Sequence, residues 1–135
     1  MMGARDRFLA QKGRFREEKV VVQGINDDEG ELTVILREMS AAQRADVIES
    51  SFDAQSQTLS WTTLYPMMLI ACVFDADDGS PIFQPGDEAT ILALPARPVE
   101  QLATAAMLMS GIDEKAVDRA GKGSSKTRND DSSSS

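Results

Sequence analysis

The sequence predicts an α+β fold: a small, mainly α-helical domain with an N-terminal β-hairpin and a disordered C-terminal tail. Two β-branched segments around a turn-forming stretch predict the hairpin, and a series of capping residues and apolar stripes predicts helices after it. The segment from residue 121 onward has no aliphatic or aromatic side chain, so it cannot bury enough surface to offset its ordering entropy. We therefore divide the 135 residues into a flexible arm (1–18), one globular domain (19–120) and a disordered Ser-rich tail (121–135).

The hairpin is predicted between residues 19 and 36. Lys19–Gln23 contains three consecutive valines, and Glu31–Leu36 alternates aliphatic and polar residues along most of its length. Between them, Gly24–Gly30 holds Asn and Asp residues, which favour turns. Two such segments joined by a turn are typical of a β-hairpin.

The first helix of the domain is predicted to begin after Ser40. Gln43 follows at the spacing of a capping box, and the helix should run to about Ser50. Its mostly outward residues are predicted to be Gln43, Arg44, Asp46 and Glu49. Asp53–Ser60 is then expected to be a polar linker. The apolar stripe predicted for this helix consists of Ala41, Ala45, Ile48 and Phe52.

The most apolar part of the chain lies between residues 58 and 74. We predict one helix, Thr58–Phe74, in which Pro66 either kinks the helix or marks its first turn. Its continuously apolar part, Met67–Phe74, is much shorter than the roughly 20 residues that cross a membrane. The segment is therefore expected to be a core element, and no membrane partner is predicted.

Two further helices are predicted near the C-terminal end of the domain. Asp87 is a suitable N-cap for a short helix, Glu88–Leu94. A longer helix, Pro98–Ser110, begins with proline and ends at Gly111, which favours a Schellman ending. The apolar stripe predicted for the longer helix consists of Val99, Leu102, Ala103, Ala106 and Met109.

Residues that usually carry catalysis or bind metals are scarce. The chain has no histidine, the commonest general base near neutral pH and the commonest metal ligand. Cys72, the single cysteine, lies in an apolar run, which favours a packed thiol in a reducing compartment. The acidic turn Asp75–Ser80 lacks the spacing of a calcium-binding loop. We expect no enzymatic activity, no metal and no cofactor.

The charge distribution argues against nucleic acid as a partner. The net charge is −8, whereas phosphate binding requires a clustered cationic surface. Positive charge does gather in the first 19 residues, where Asp6, Glu17 and Glu18 partly cancel it, so we interpret this segment as a solvated arm. Its cations are Arg5, Arg7, Lys12, Arg14, Arg16 and Lys19.

Three segments, in this order, carry a resemblance to a known family. They are RDRFLA at residues 5–10, REMSAAQR at residues 37–44, and residues 73–112. The last segment combines an acidic turn with Gly79, an Ile-Phe pair, an Asp-led short helix and a Ser-Gly-Ile ending. Over residues 4–120 the chain resembles the tail assembly chaperones of long-tailed, siphovirus-like bacteriophages. Pro66 and the long polar tail depart from the family's usual pattern.

The resemblance implies a non-catalytic protein made in the cytoplasm of the infected bacterium and absent from the mature virion. Such chaperones bind and solubilise the tape measure protein. They bring tail tube subunits to it through a longer product made by ribosomal frameshifting. The alternatives are a structural tail or head-completion protein that stays in the virion and, third, a small host-directed adaptor. The oligomeric state stays open, with a homo-oligomer as one outcome.

Methionines on the helices are the candidate partner-binding residues. Flexible thioethers fill protein cores, and they also line adaptable binding grooves. Core filling is the simpler interpretation. For a chaperone that covers an apolar stripe of its client, the candidates are Met67, Met68, Met107 and Met109.

A frameshift site is a second hypothesis that the resemblance suggests. Gly121-Lys122-Gly123 can be encoded as a run of G followed by a run of A, on which a transfer RNA can re-pair one base back. The tripeptide follows the predicted domain, so a switched reading frame would attach a second domain through a flexible linker. An ordinary flexible tail is the alternative.

Overall fold

The computed structural model describes residues 3–112, and in that range it confirms the α+β class with its N-terminal hairpin. The predicted tail (121–135), the tripeptide that begins it and residues 113–120 of the predicted domain lie outside the described residues. The elements are α1 (Ala4–Leu9), β1 (Glu17–Val21), β2 (Thr33–Arg37), α2 (Ala41–Ser51), β3 (Phe52–Asp53), β4 (Thr58–Leu59), α3 (Trp61–Cys72), β5 (Val73–Asp75), α4 (Glu88–Leu92) and α5 (Ala96–Met109).

The predicted hairpin is confirmed and forms part of an antiparallel sheet with the strand order β1-β2-β5. In β1, Glu17 pairs with Arg37 and Val21 with Thr33, so the strand starts two residues earlier than predicted. Alternate residues of β2, Val34 and Leu36, point into the core and are fully buried. The sheet therefore covers one side of the helices with the β2 side chains.

The prediction that the central helix continues to Phe74 is wrong, because α3 ends at Cys72. Val73 and Phe74 belong to β5, where their backbones pair with Leu36 and Ile35 of β2. This pairing joins segments almost 40 positions apart, so the local apolar pattern of the helix could not reveal it. The abrupt change from helix to strand ties α3 directly to the sheet.

Helix α2 has the predicted cap but buries a different face. The capping box is confirmed, since the Gln43 N–H donates to Ser40 Oγ (3.2 Å) and the Ser40 N–H donates to Gln43 Oε1 (3.0 Å). The predicted stripe is wrong at its first two positions, because Ala41 and Ala45 are exposed. Val47 is buried instead, together with Ser51 at the end of the helix.

The predicted polar linker after α2 is partly a small hairpin. Phe52 of β3 pairs with Leu59 of β4, and Gln57 adopts a positive φ of 59° in the turn between the strands. Leu59 is 2% exposed, so this hairpin contributes a core residue. Leu59 is an isolated aliphatic residue in a polar segment, so no periodic pattern in the sequence indicated that it is buried.

Helix α3 is the centre of the fold and contacts α2, α4 and α5. Pro66 lies inside it, one turn after its start, where its missing N–H costs one helical hydrogen bond. The Pro66 ring is fully buried and so adds apolar contact. No helix among residues 3–112 is long and apolar enough to cross a membrane.

The two C-terminal helices are confirmed with shifted bounds. Helix α4 ends at Leu92, and the Asp87 side chain does not cap it, because Asp87 Oδ2 accepts from the Gln84 N–H (2.8 Å). Helix α5 begins at Ala96, two residues earlier than predicted. Its Schellman ending is confirmed: Gly111 has a φ of 76°, and the N–H of the buried Ile112 donates to the Met107 carbonyl oxygen (2.7 Å).

Candidate functional site

The first candidate site is a groove of about 440 Å³ between α2, α3 and the loop that precedes α4. We call it the α2–α3 groove. From α3 it receives Met67, Ile70 and Ala71, whose spacing of i, i+3 and i+4 places them on one face of the helix, and from β5 it receives Phe74. Val47 of α2 and three residues of the loop complete the apolar floor. The groove is lined by Gln43, Asp46, Val47, Met67, Ile70, Ala71, Phe74, Pro81, Phe83, Gln84, Pro85 and Glu88.

The groove combines an apolar floor with a polar rim. Asp46 of α2 and Glu88 of α4 supply carboxylates, and neither carboxylate belongs to an ion pair among residues 3–112. The Phe74 ring at one end lies 4.0 Å below the Arg37 guanidinium, an arrangement that favours a fixed ring. Such a surface suits an apolar segment flanked by polar or cationic residues.

The loop beside the groove is held by the acidic turn that precedes it. The Asp75 N–H donates to the Ser80 carbonyl oxygen (2.8 Å), and the Ile82 N–H donates to the Val73 carbonyl oxygen (3.2 Å). These bonds return the chain to the edge of β5 after the turn, so that Phe83 lies in the groove. The acidic turn therefore has a structural role in shaping the site.

The carboxylates of this turn accept hydrogen bonds within the turn. Asp78 Oδ1 accepts from the Ser80 N–H (2.8 Å) and the Ser80 hydroxyl (2.6 Å), and these bonds lower the pKa of Asp78. Asp75 Oδ1 accepts from the Asp77 N–H (2.7 Å). Within the described part of the chain, no three His, Cys, Asp or Glu side chains are grouped to hold a metal ion. The absence of a metal and of a cofactor stays a prediction.

The second candidate site is an apolar surface that the sequence did not indicate. Four large side chains, each 37–44% exposed, surround a cavity of about 110 Å³ between the sheet, α5 and the loops. We call these four residues the apolar patch: Ile25, Leu32, Ile82 and Leu94. Ile25, Ile82 and Leu94 lie in loops, and Leu32 lies just before β2. The alternation of Leu32 with Val34 and Leu36 is the sequence signal that could have found part of this patch.

The four candidate methionines do not form one surface. Met67 lines the α2–α3 groove. Met68 is 0% exposed and belongs to the core. Met107 and Met109 are partly buried against the core from α5, and they line neither the groove nor the cavity under the apolar patch. Of this set, Met67 is the residue that the fold brings to a candidate site.

Arg44 has a structural role that the sequence did not predict. Its Nε donates to the Ser110 carbonyl oxygen (2.9 Å), and its Nη2 donates to the Gly111 carbonyl oxygen (2.9 Å). A cation at the carbonyl end of a helix is favourable for the helix dipole and satisfies free acceptors. The expectation that Arg44 faces outward is therefore wrong, and this contact fixes α2 against the end of α5.

No family model matches this chain, and no curated protein matches it. Its structure is similar to the solved structure of the bacteriophage HK97 tail assembly chaperone, with a TM-score of 0.51 and 20% sequence identity. The similarity covers 76% of this chain and 97% of the HK97 chain. The motifs and the structure thus indicate the same group of proteins, and the chain has the fold of a phage tail assembly chaperone.

Proposed function

We propose that this protein is a non-catalytic phage tail assembly chaperone that binds and solubilises the tape measure protein in the host cytoplasm. The observation that carries the proposal is the likeness of the fold to the HK97 tail assembly chaperone. The ordered motifs at residues 5–10, 37–44 and 73–112 support it independently of the fold.

The α2–α3 groove is the surface proposed for the client. An apolar stripe on a client helix would lie against the apolar floor of the groove, which includes Met67, and its burial supplies the driving force. Asp46 and Glu88 at the rim would favour a client with cationic residues beside its stripe.

The charge of the domain would keep the complex in solution. Residues 20–112 contain three cationic and 14 acidic side chains, which give a net charge of −11. Complexes that carry a large charge of one sign repel one another, which opposes aggregation of the client. In this proposal the apolar groove binds the client, and the acidic surface keeps the complex in solution.

Co-expression with the tape measure protein tests this function and its site together. We expect the client to move into the soluble fraction with the natural chain. The variant Met67→Asp should lower client affinity about tenfold or more, because an unpaired carboxylate is costly in an apolar contact. Pull-down of the soluble client measures this effect.

The matched control is Met107→Asp, which changes a second partly buried methionine outside the groove. Circular dichroism should show that both variants fold. Equal loss of the client with the two variants would contradict the groove as the site. An insoluble client beside the unchanged chain would contradict the function itself.

We further propose that the protein acts during assembly and recruits tail tube subunits through a longer frameshifted product. We expect the chain to be absent from purified virions by mass spectrometry. A blot of infected cells should show a second, larger product that carries the same N-terminal domain. Detection of the chain in virions would instead support a structural tail or head-completion protein. A codon choice at Gly121-Lys122 that does not allow slippage, with no larger product, would exclude that frameshift site.

A further inference from the structure

The N-terminal arm exposes an apolar pair in a cationic segment. Helix α1 has no buried residue, and its Phe8 and Leu9 are 79% and 58% exposed. Residues 1–19 contain six cationic and three acidic side chains, in contrast to the net charge of −11 over residues 20–112. A large exposed Phe-Leu pair favours contact with an apolar partner surface. Its cationic surroundings favour a partner surface that is acidic.

The apolar patch on the domain has the complementary character. Ile25 and Leu32, two of its four residues, lie at the two ends of an acidic loop. The cavity between the patch residues has an apolar lining throughout. The carboxylates of the loop are Asp27, Asp28, Glu29 and Glu31, all exposed. The patch thus offers apolar contact beside negative charge, whereas the arm offers apolar side chains beside positive charge.

The arm joins the domain at the end of β1 that lies farther from the patch of its own chain. The Arg16 N–H donates to Glu38 Oε1 (3.0 Å), and the Glu38 N–H donates to the Arg16 carbonyl oxygen (2.9 Å). This anchor lies at the Glu17 end of β1. The patch lies beside Val22, at the opposite end of the strand, roughly 17 Å away at about 3.3 Å per residue.

The segment between α1 and this anchor is itself held in turns. The Gln11 N–H donates to the Phe8 carbonyl oxygen (3.0 Å), and the Arg14 N–H donates to the Gln11 carbonyl oxygen (2.9 Å). These bonds shorten the segment, so a return of α1 along its own strand would require the turns to open or the chain to change direction at Phe15. Contact with a second copy requires no such rearrangement.

We propose that the arm of one copy docks on the apolar patch of a second copy. Phe8 and Leu9 cover the cavity between the patch residues, while Arg5, Arg7 and Lys12 face the acidic loop. Mutual exchange of arms closes a two-fold dimer, and one-way exchange extends a chain of copies. None of the four patch residues lines the α2–α3 groove, so the proposal does not depend on the proposed function.

Sedimentation velocity of the purified full chain over a range of concentrations tests the self-association. We expect concentration-dependent oligomers that weaken at high salt, because screening reduces the attraction between exposed charges. Phe8→Asp should raise the dissociation constant about tenfold or more without unfolding the chain, since the Phe8 side chain is 79% exposed. The matched control is Leu108→Asp, an equally drastic change at a side chain that is 67% exposed and lies outside the patch.

Cysteine cross-linking identifies the surfaces in contact. Two singly substituted chains, Phe8→Cys and Leu32→Cys, are mixed under mild oxidation, and a mixed disulfide dimer is the expected product. A chain that carries both substitutions and cross-links within itself when dilute would overturn the proposal in favour of docking within one copy. A chain that stays monomeric at all concentrations would overturn it as well. Association that Phe8→Asp leaves unchanged would show that another surface is responsible.

Discussion

Replacing Met68 with alanine is expected to lower the free energy of unfolding by about 2–5 kcal/mol, the range for such truncations in cores. The Met68 side chain is 0% exposed on α3, the helix on which α2, α4 and α5 pack, so its removal leaves a cavity at the centre of the fold. Urea denaturation followed by circular dichroism measures the change.

The matched control is Met67→Ala at the neighbouring position. Met67 is partly exposed in the α2–α3 groove, so we expect less than half of the Met68 effect on stability and a larger effect on client binding. This pair separates a core methionine from a binding methionine. Equal losses of stability would contradict the assignment of the two roles.

Cys72 provides a second readout for the same experiment. Burial raises the pKa of the Cys72 thiol to about 12, although a hydrogen bond with Ser110 acts in the opposite direction. The thiol is therefore protonated at pH 8 and enclosed by the core, and a thiol reagent should label it when the domain unfolds. Met68→Ala should increase the labelling rate in proportion to the unfolded population. Rapid labelling of the unchanged protein would contradict the packed core at this point.

Replacing Gly24 with alanine is expected to cost about 2–4 kcal/mol, because it combines backbone strain with a steric clash. Gly24 has a φ of 80°, and an added Cβ would lie 2.9 Å from Arg97 Cβ and 3.1 Å from Pro98 Cδ. The loop has little freedom to withdraw, because the neighbouring Gln23 N–H donates to Gln101 Oε1 on α5 (2.7 Å).

Gly30→Ala is the matched control for Gly24→Ala. Gly30 has a similar φ of 83°, but an added Cβ there has no atom within 4 Å. This variant should show the strain alone, about 1–2 kcal/mol. The difference between the two midpoints of thermal unfolding then reports the cost of the steric clash between the loop and α5. Equal effects would mean that the loop moves away from the helix without cost.

The features predicted correctly from the sequence depend on residues that are close in the chain. The Ser40–Gln43 capping box spans one turn of helix, and the Gly111 ending is complete within six residues of α5. The hairpin likewise requires two short segments and the turn between them. Hydrogen bonds and backbone preferences of this kind are satisfied locally, so their residue types are sufficient to indicate them.

The errors occur where a distant part of the chain competes with a local preference. Val73 and Phe74 continue an apolar helical pattern, but pairing with β2 adds backbone hydrogen bonds that the helix end could not supply. In α2, the alanine stripe has little area to bury, whereas Val47 and Arg44 reach α3 and the end of α5. When the apolar residues of a helix are small, the elements that pack against the helix decide which of its faces is buried.

The sequence was sufficient for the fold class, the capping box of α2, the Schellman ending of α5 and the resemblance to tail assembly chaperones, because these depend on short motifs and their order. The candidate surfaces required the tertiary structure. Every residue of Met67–Phe74 is apolar, so no polar neighbour indicates that Met68 faces the core and Met67 the groove; the packing of α2 and α5 on α3 makes that choice. The apolar patch brings Ile25 together with Leu94, almost 70 positions later. The hydrophobic effect brings such distant apolar side chains together only when the whole chain folds, so no local sequence pattern indicates their contact.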